Sequence, residues 1–234
     1  MLSTVMTVVL RSVRFGGLRV MIGSQHDLAV LSVAATIGCA AGIHGARAAA
    51  TSSSSRCIGR HQWVAAVAGI GALAGAAIGA KFGVGIELAA YLLLVAVALP
   101  LSAIDIAVRK VPDRILLPAV PAAIAILALA ALSAGSYSAL GRALLAGVTT
   151  FTAYLALALG TGELGFGDCK AAGLCGIFLG YLGWSQVFLG TLAAFVLAAL
   201  VAATRFLRDD PARTGTVAFA PYIFAGAVLT VTLS

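Results

Sequence analysis

The chain has 234 residues, of which 62% are hydrophobic and 10% charged, and a formal net charge of +7. Soluble domains hold to about half apolar and about a quarter charged residues, so this composition excludes one and indicates an integral membrane protein. The basic residues lie in short loops between apolar runs and form no basic face interleaved with aromatics. Topology and membrane lipid therefore explain them better than nucleic acid does.

Eight apolar runs predict an all-α, polytopic helical membrane protein with about eight transmembrane helices. In chain order they span residues 27–46, 62–80, 85–104, 114–134, 139–159, 169–183, 186–204 and 216–232. Weak alternation and abundant Ala and Leu argue against a transmembrane barrel. Polar breaks fall at "TSSSSRCIGRH" (51–61) and at "RFLRDDPARTG" (205–215), the second bounded by the helix breakers Pro211 and Gly215. Residues 1–60 read as an N-terminal segment with the first span and a loop, and residues 61–234 as the core.

Basic residues divide unevenly between the two sides of the membrane. Ten fall on one side: Arg47, Arg56, Arg60, Arg109, Lys110, Arg114, Lys170, Arg205, Arg208 and Arg213. The other side receives Lys81 and Arg142. The positive-inside rule assigns the ten to the cytoplasm, which leaves both termini outside. Arg11, Arg14 and Arg19 conflict with that topology. Residues 1–20 therefore read as an interfacial amphipathic helix, as a signal sequence, or as sequence ahead of a start at Met21, the last being preferred.

Cys39, Cys57, Cys169 and Cys175 form no C-x-x-C pair, so they read as small apolar side chains rather than as a zinc or redox motif.

Carboxylates near a membrane span are costly, and each needs a reason. Asp27 reads as an N-cap, Glu87 as solvated near the outer end of the third span, and Asp209 and Asp210 as part of a charged loop. Asp113 follows Pro112 and reads as the cap of the fourth span. Glu163 reads as solvated rather than as a support of the site.

Asp105 and Asp168 stand apart. Asp105 closes the apolar run "LLLVAVALPLSAID", and Asp168 opens the sixth span after "GFG". Both fall on the cytoplasmic edge at helix ends. Gly162, Gly165 and Gly167 let the backbone turn and let another chain come close. Two carboxylates at one depth can share a water, as an aspartic protease requires: one removes a proton, and the other, protonated, polarises the scissile carbonyl. Asp168 at a helix N-terminus reads as the base, and Asp105 at a C-terminus as the acid.

The chain resembles the type IV prepilin leader peptidases, the bacterial branch of the G-x-G-D membrane aspartic proteases. "GFGDCK" (165–170) matches the G-x-G-D-x-K signature. "IDIAVRKVPDRI" (104–115) matches the motif of the other aspartate, and "VAFAPYIFAGA" (217–227) is a degenerate form of a "PFGP-aromatic" segment. The resemblance covers about residues 60–230. It implies catalytic roles for Asp105 and Asp168 and site roles for Gly165, Gly167 and Lys170. Lys170 either steadies the anion or reaches toward lipid headgroups. The implied substrate is a prepilin or pseudopilin with a basic leader. Cleavage would take place at the cytoplasmic face of the inner (plasma) membrane.

Full-length relatives also carry paired C-x-x-C motifs and methylate the new N-terminus using S-adenosylmethionine. Here the loop offers Cys57 and His61 at most, too few for zinc. Neither metal nor cofactor is assigned, and a peptidase-only form is the closer comparison. The alternatives are a small multi-span transporter with paired carboxylates and an inactive relative of the peptidases.

Overall fold

The computed structural model describes residues 13–15, 18–20, 25–52, 60–162, 164–207 and 218–234. Within them eight helices follow the order of the predicted spans: α1 (Gln25–Ser52), α2 (Arg60–Phe82), α3 (Ile86–Val108), α4 (Asp113–Ala134), α5 (Tyr137–Thr161), α6 (Phe166–Leu182), α7 (Trp184–Phe206) and α8 (Ala220–Leu233). Five of these segments are long and apolar enough to cross a membrane: Val64–Phe82 of α2 and the whole of α3, α4, α5 and α7. Helix α6 has 17 residues and α8 has 14. Near the N-terminus, β1 (Val13–Phe15) pairs antiparallel with β2 (Leu18–Val20), so these residues do not form the amphipathic helix considered for residues 1–20. Asp27, Cys57, His61, Glu163, Asp209 and Asp210 lie outside the residues whose side chains are described.

The core is built around α3 and α6. Tyr91, Leu94, Val95 and Leu101 of α3 and Leu174 and Phe178 of α6 are almost wholly enclosed. A helix apolar on all sides is suited to such a central position. Tyr91 stacks on Phe82 with ring centroids 4.3 Å apart and donates its hydroxyl to the Phe178 carbonyl at 3.1 Å. That bond satisfies the one polar atom a buried tyrosine brings. Helices α5 and α6 meet along small residues, and the Thr150 hydroxyl lies between them, 2.8 Å from Ala146 O and 3.1 Å from Ala172 O. Small residues let helix backbones approach in lipid, where apolar side chains gain nothing by leaving the bilayer.

The bundle has two distinct ends. At one end, cations satisfy helix C-termini. Arg142 donates from Nε to Gly180 O and from Nη2 to Tyr181 O, both at 2.8 Å, and so closes the last turn of α6. Lys81 donates to Val231 O and Ser234 Oγ at 2.6 Å, which ties α2 to the end of α8. Both use the carbonyls a helix leaves unpaired at its C-terminus. The opposite end collects Asp105, Asp113, Asp168 and the start of α8.

Candidate active site

Asp105 lies in the last turn of α3. Its backbone carbonyl accepts the N–H of Arg109 at 2.8 Å, and Arg109 turns left-handed at φ 53°. Arg109 is the one non-glycine residue with positive φ among the described residues. That turn ends α3 and sends Val111 and Pro112 across the end of the bundle. Asp105 is 5% exposed, and its Oδ2 is buried without a hydrogen-bond partner. Buried polar atoms are nearly always paired, so an exception of this kind calls for an explanation.

Asp168 lies in the first turn of α6. Gly162 ends α5 in a left-handed conformation at φ 70°. The chain then turns at Gly165, the N-cap of α6, whose N–H donates to Asp168 Oδ2 at 3.0 Å. This is the returning half of a capping box, in which the third helical residue accepts the cap's own amide.

The glycines of "GFGD" differ in purpose. Gly165 has ordinary extended backbone at φ −77° and ψ 151°, and a Cβ there would meet nothing closer than 3.4 Å. At Gly167 a Cβ would come within 2.9 Å of the Val111 Cβ, tighter than real Cβ contacts. Gly167 is thus where the segment following Asp105 rests against the helix carrying Asp168.

This approach brings the two carboxylates into electrostatic reach of each other. The backbone N–H of Ala220, the first residue of α8, interacts with both. An amide in the first turn of a helix has no partner within the helix, so it is free to serve the carboxylates, and the helix dipole adds to the attraction. Tyr154 of α5, 4% exposed, also interacts electrostatically with Asp168 and packs against Phe195 and Phe219. Neither Ala220 nor Tyr154 is singled out by sequence reasoning. The signal for Ala220 was the "AFAPY" stretch, where Pro221 marks a helix start.

Asp113 and Lys170 take other places than their sequence context suggests. The N-cap of α4 is Pro112, with no side-chain capping bond, so Asp113 does not cap the helix. Its carboxylate instead accepts both hydrogen bonds of Lys170 Nζ, at 2.8 Å and 2.9 Å. Lys170 also lies 4.8 Å from the centroid of the Phe166 ring. It therefore pairs with Asp113 rather than Asp168, and it is not directed to headgroups alone. The pair fastens the start of α4 to the start of α6, one motif to the other. With the side chains 21% and 53% exposed, such a pair contributes about 1 kcal/mol or less to stability. Lys170→Gln and Asp113→Asn should each slow the chain's activity by about tenfold or less, and the exchanged pair Lys170→Asp/Asp113→Lys should recover most of it. A lysine that served only lipid would gain nothing from the exchange.

Among the described residues, no three His, Cys, Asp or Glu side chains converge as a metal-binding group.

Fold and site together define a polytopic helical membrane protein with a carboxylate pair gathered at one end of its bundle. Residues 92–203 match the model of the type IV leader peptidase family, which supports a protease of that kind. The segment includes Asp105, Asp168 and the Asp113–Lys170 pair, and it stops short of α8. No curated protein and no solved structure matches the chain.

Proposed function

We propose that the protein is a membrane aspartic endopeptidase that removes the short basic leader from prepilins or pseudopilins. Cleavage takes place at the cytoplasmic face of the inner membrane. The observation that carries this reading is that Asp105 and Asp168, from two separate motifs, lie within electrostatic reach of each other and both interact with the amide of Ala220.

Each carboxylate has surroundings suited to a different role. Asp168 accepts the Gly165 amide and sits in the first turn of α6, the features on which its role as base rests. Asp105 is enclosed near the C-terminal end of α3 with Oδ2 unpartnered, the features on which its role as acid rests. Two such groups titrate as one coupled pair. Asp168 takes a proton from water, and the water oxygen attacks the scissile carbonyl. Asp105 gives its proton to the carbonyl oxygen. The tetrahedral intermediate then collapses, the C–N bond breaks, and the nitrogen leaves with the proton that Asp168 had taken. As the new C=O forms, one of the intermediate's two hydroxyls returns its proton to Asp105, and the dyad is left with one shared proton.

The cytoplasmic orientation is supported by the ten basic residues assigned to that side. Their two counterparts on the other side, Lys81 and Arg142, are engaged with helix ends. Co-expression with the prepilins of the source genome tests the function. At least one should lose its leader, seen as a faster-migrating band with a new N-terminus. Retention of the leader by every prepilin in that set would defeat the proposal.

A further inference from the structure

Among the described residues four positions turn left-handed, and each directly follows the last residue of a helix: Gly83 after α2, Arg109 after α3, Gly135 after α4 and Gly162 after α5. Each donates its N–H to the carbonyl four positions back, so all four close a helix in the same way. A side chain in this conformation crowds the neighbouring carbonyl, and glycine, with no Cβ, escapes that cost. The exception to glycine is the position that closes the helix of Asp105.

The turn itself does not call for arginine, since glycine makes it with less strain at the three other helix ends. Membrane topology does not call for it either, because Lys110 and Arg114 are exposed at the same end and supply positive charge there. The one ion pair among the described residues joins Lys170 to Asp113 and leaves Arg109 out. Its place in the fold is more telling. The backbone bond at 2.8 Å fixes Arg109 one helical turn beyond Asp105, on the exposed rim of the site. From there its charge acts on Asp105. The interactions of Asp168 are instead with the amides of Gly165 and Ala220.

This asymmetry matters because the proposed reaction moves charge. The pair carries one negative charge before and after attack on the carbonyl. Before attack the charge is on Asp168. Once Asp168 has taken the proton of water and Asp105 has given its own to the carbonyl oxygen, the charge is on Asp105. A fixed cation beside Asp105 stabilises the later state more than the earlier one, and such a difference speeds a chemical step. We propose that Arg109 is an electrostatic positioning residue that acts through Asp105, its strained turn holding in place the cation that favours passage of negative charge from Asp168 to Asp105. This inference rests on the proposed function and adds a residue to its machinery.

The test uses the full chain, purified in detergent, with a prepilin that the unsubstituted enzyme processes. It reads kcat, KM and the unfolding temperature together. Arg109→Gly should unfold at the parent's temperature or above it, because glycine relieves the turn. It should also lose about tenfold in kcat with KM unchanged, the scale of a single screened charge near the protein surface. Arg109→Lys keeps the cation and should retain most of the rate. Lys110→Gln removes the neighbouring charge and should match the parent. A residue that served the turn alone would leave Arg109→Gly as fast as the parent. One that served topology alone would make Lys110→Gln as slow as Arg109→Gly, and one that held the substrate would raise KM instead. Any of these results, or an Arg109→Lys no faster than Arg109→Gly, overturns the inference and leaves the peptidase reading standing. Should Arg109→Gly fail to accumulate, Arg109→Gln reads the same loss in kcat against the same controls. Failure of the unsubstituted chain on every prepilin would instead remove that reading, and the role of Arg109 with it.

Discussion

Asp105→Ala and Asp168→Ala are each expected to abolish leader removal, with losses of roughly 10⁴-fold or more and no loss of protein from the membrane. The size follows from the proposed mechanism, in which water activation and carbonyl polarisation occur in the same step and either carboxylate alone would be idle; residues acting as a unit lose nearly everything when one is removed. The double variant should therefore be no worse than either single one. The stability of Asp105→Ala should change little or improve, whereas Asp168→Ala should lose about 1 kcal/mol with its cap. Asp105 is 5% exposed with an unpartnered oxygen, and removing a buried polar group in that state relieves a cost. Gel analysis of the co-expressed prepilin reads the first effect, and thermal unfolding in detergent reads the second. Substantial processing by either single variant would mean that the carboxylates do not work together.

The next largest effect is expected at Gly167. A Cβ there would lie 2.9 Å from the Val111 Cβ and 3.2 Å from its Cγ2. Neither atom is the tip of a flexible side chain, so the two segments must separate. These segments carry the two aspartates, and a misplacement of about 1 Å at reacting groups can cost about 10²-fold in rate. Gly167→Ala should thus slow leader removal by about 10²-fold, and Gly167→Leu should abolish it. The diagnostic variant is Gly167→Ala with Val111→Gly, which removes the colliding atoms and should restore much of the rate. By the same geometry Gly165→Ala should be far milder, since the nearest atom to its Cβ would be Asp168 Oδ2 at 3.4 Å. Equal losses at the two glycines would contradict this division of roles.

Sequence and structure agree best where lipid imposes the rule. A bilayer demands long helical runs of apolar residues with every backbone group paired inside the segment. The runs are therefore readable as such, and α1 to α8 follow the eight predicted spans one for one. Agreement is weakest at the ends, because caps depend on neighbours. Asp113 has the sequence context of a cap, yet it pairs with Lys170, 57 positions away. Nothing local announces a partner so distant.

Arg142 and Lys81 present a similar case. In the sequence they are the minority charge of a topology count. In the fold they complete the C-terminal ends of α6 and α8. The asymmetry between the two sides is thus sharper than the count alone implies. The glycines at 165 and 167 look alike in the motif, and only Val111 tells them apart. The least legible contributor is the Ala220 amide. A backbone donor has no side-chain signature, and only the arrival of α8 beside the carboxylates reveals it.

The most direct test of the account uses purified protein in detergent with a prepilin, and mass spectrometry of both fragments. The unsubstituted chain should produce one leader fragment and one helix fragment, cut at the junction between basic leader and apolar helix. Asp168→Asn, which keeps the shape of the side chain and removes its charge, should produce neither. The same two fragments from Asp168→Asn at a comparable rate would contradict the dyad on which the account depends.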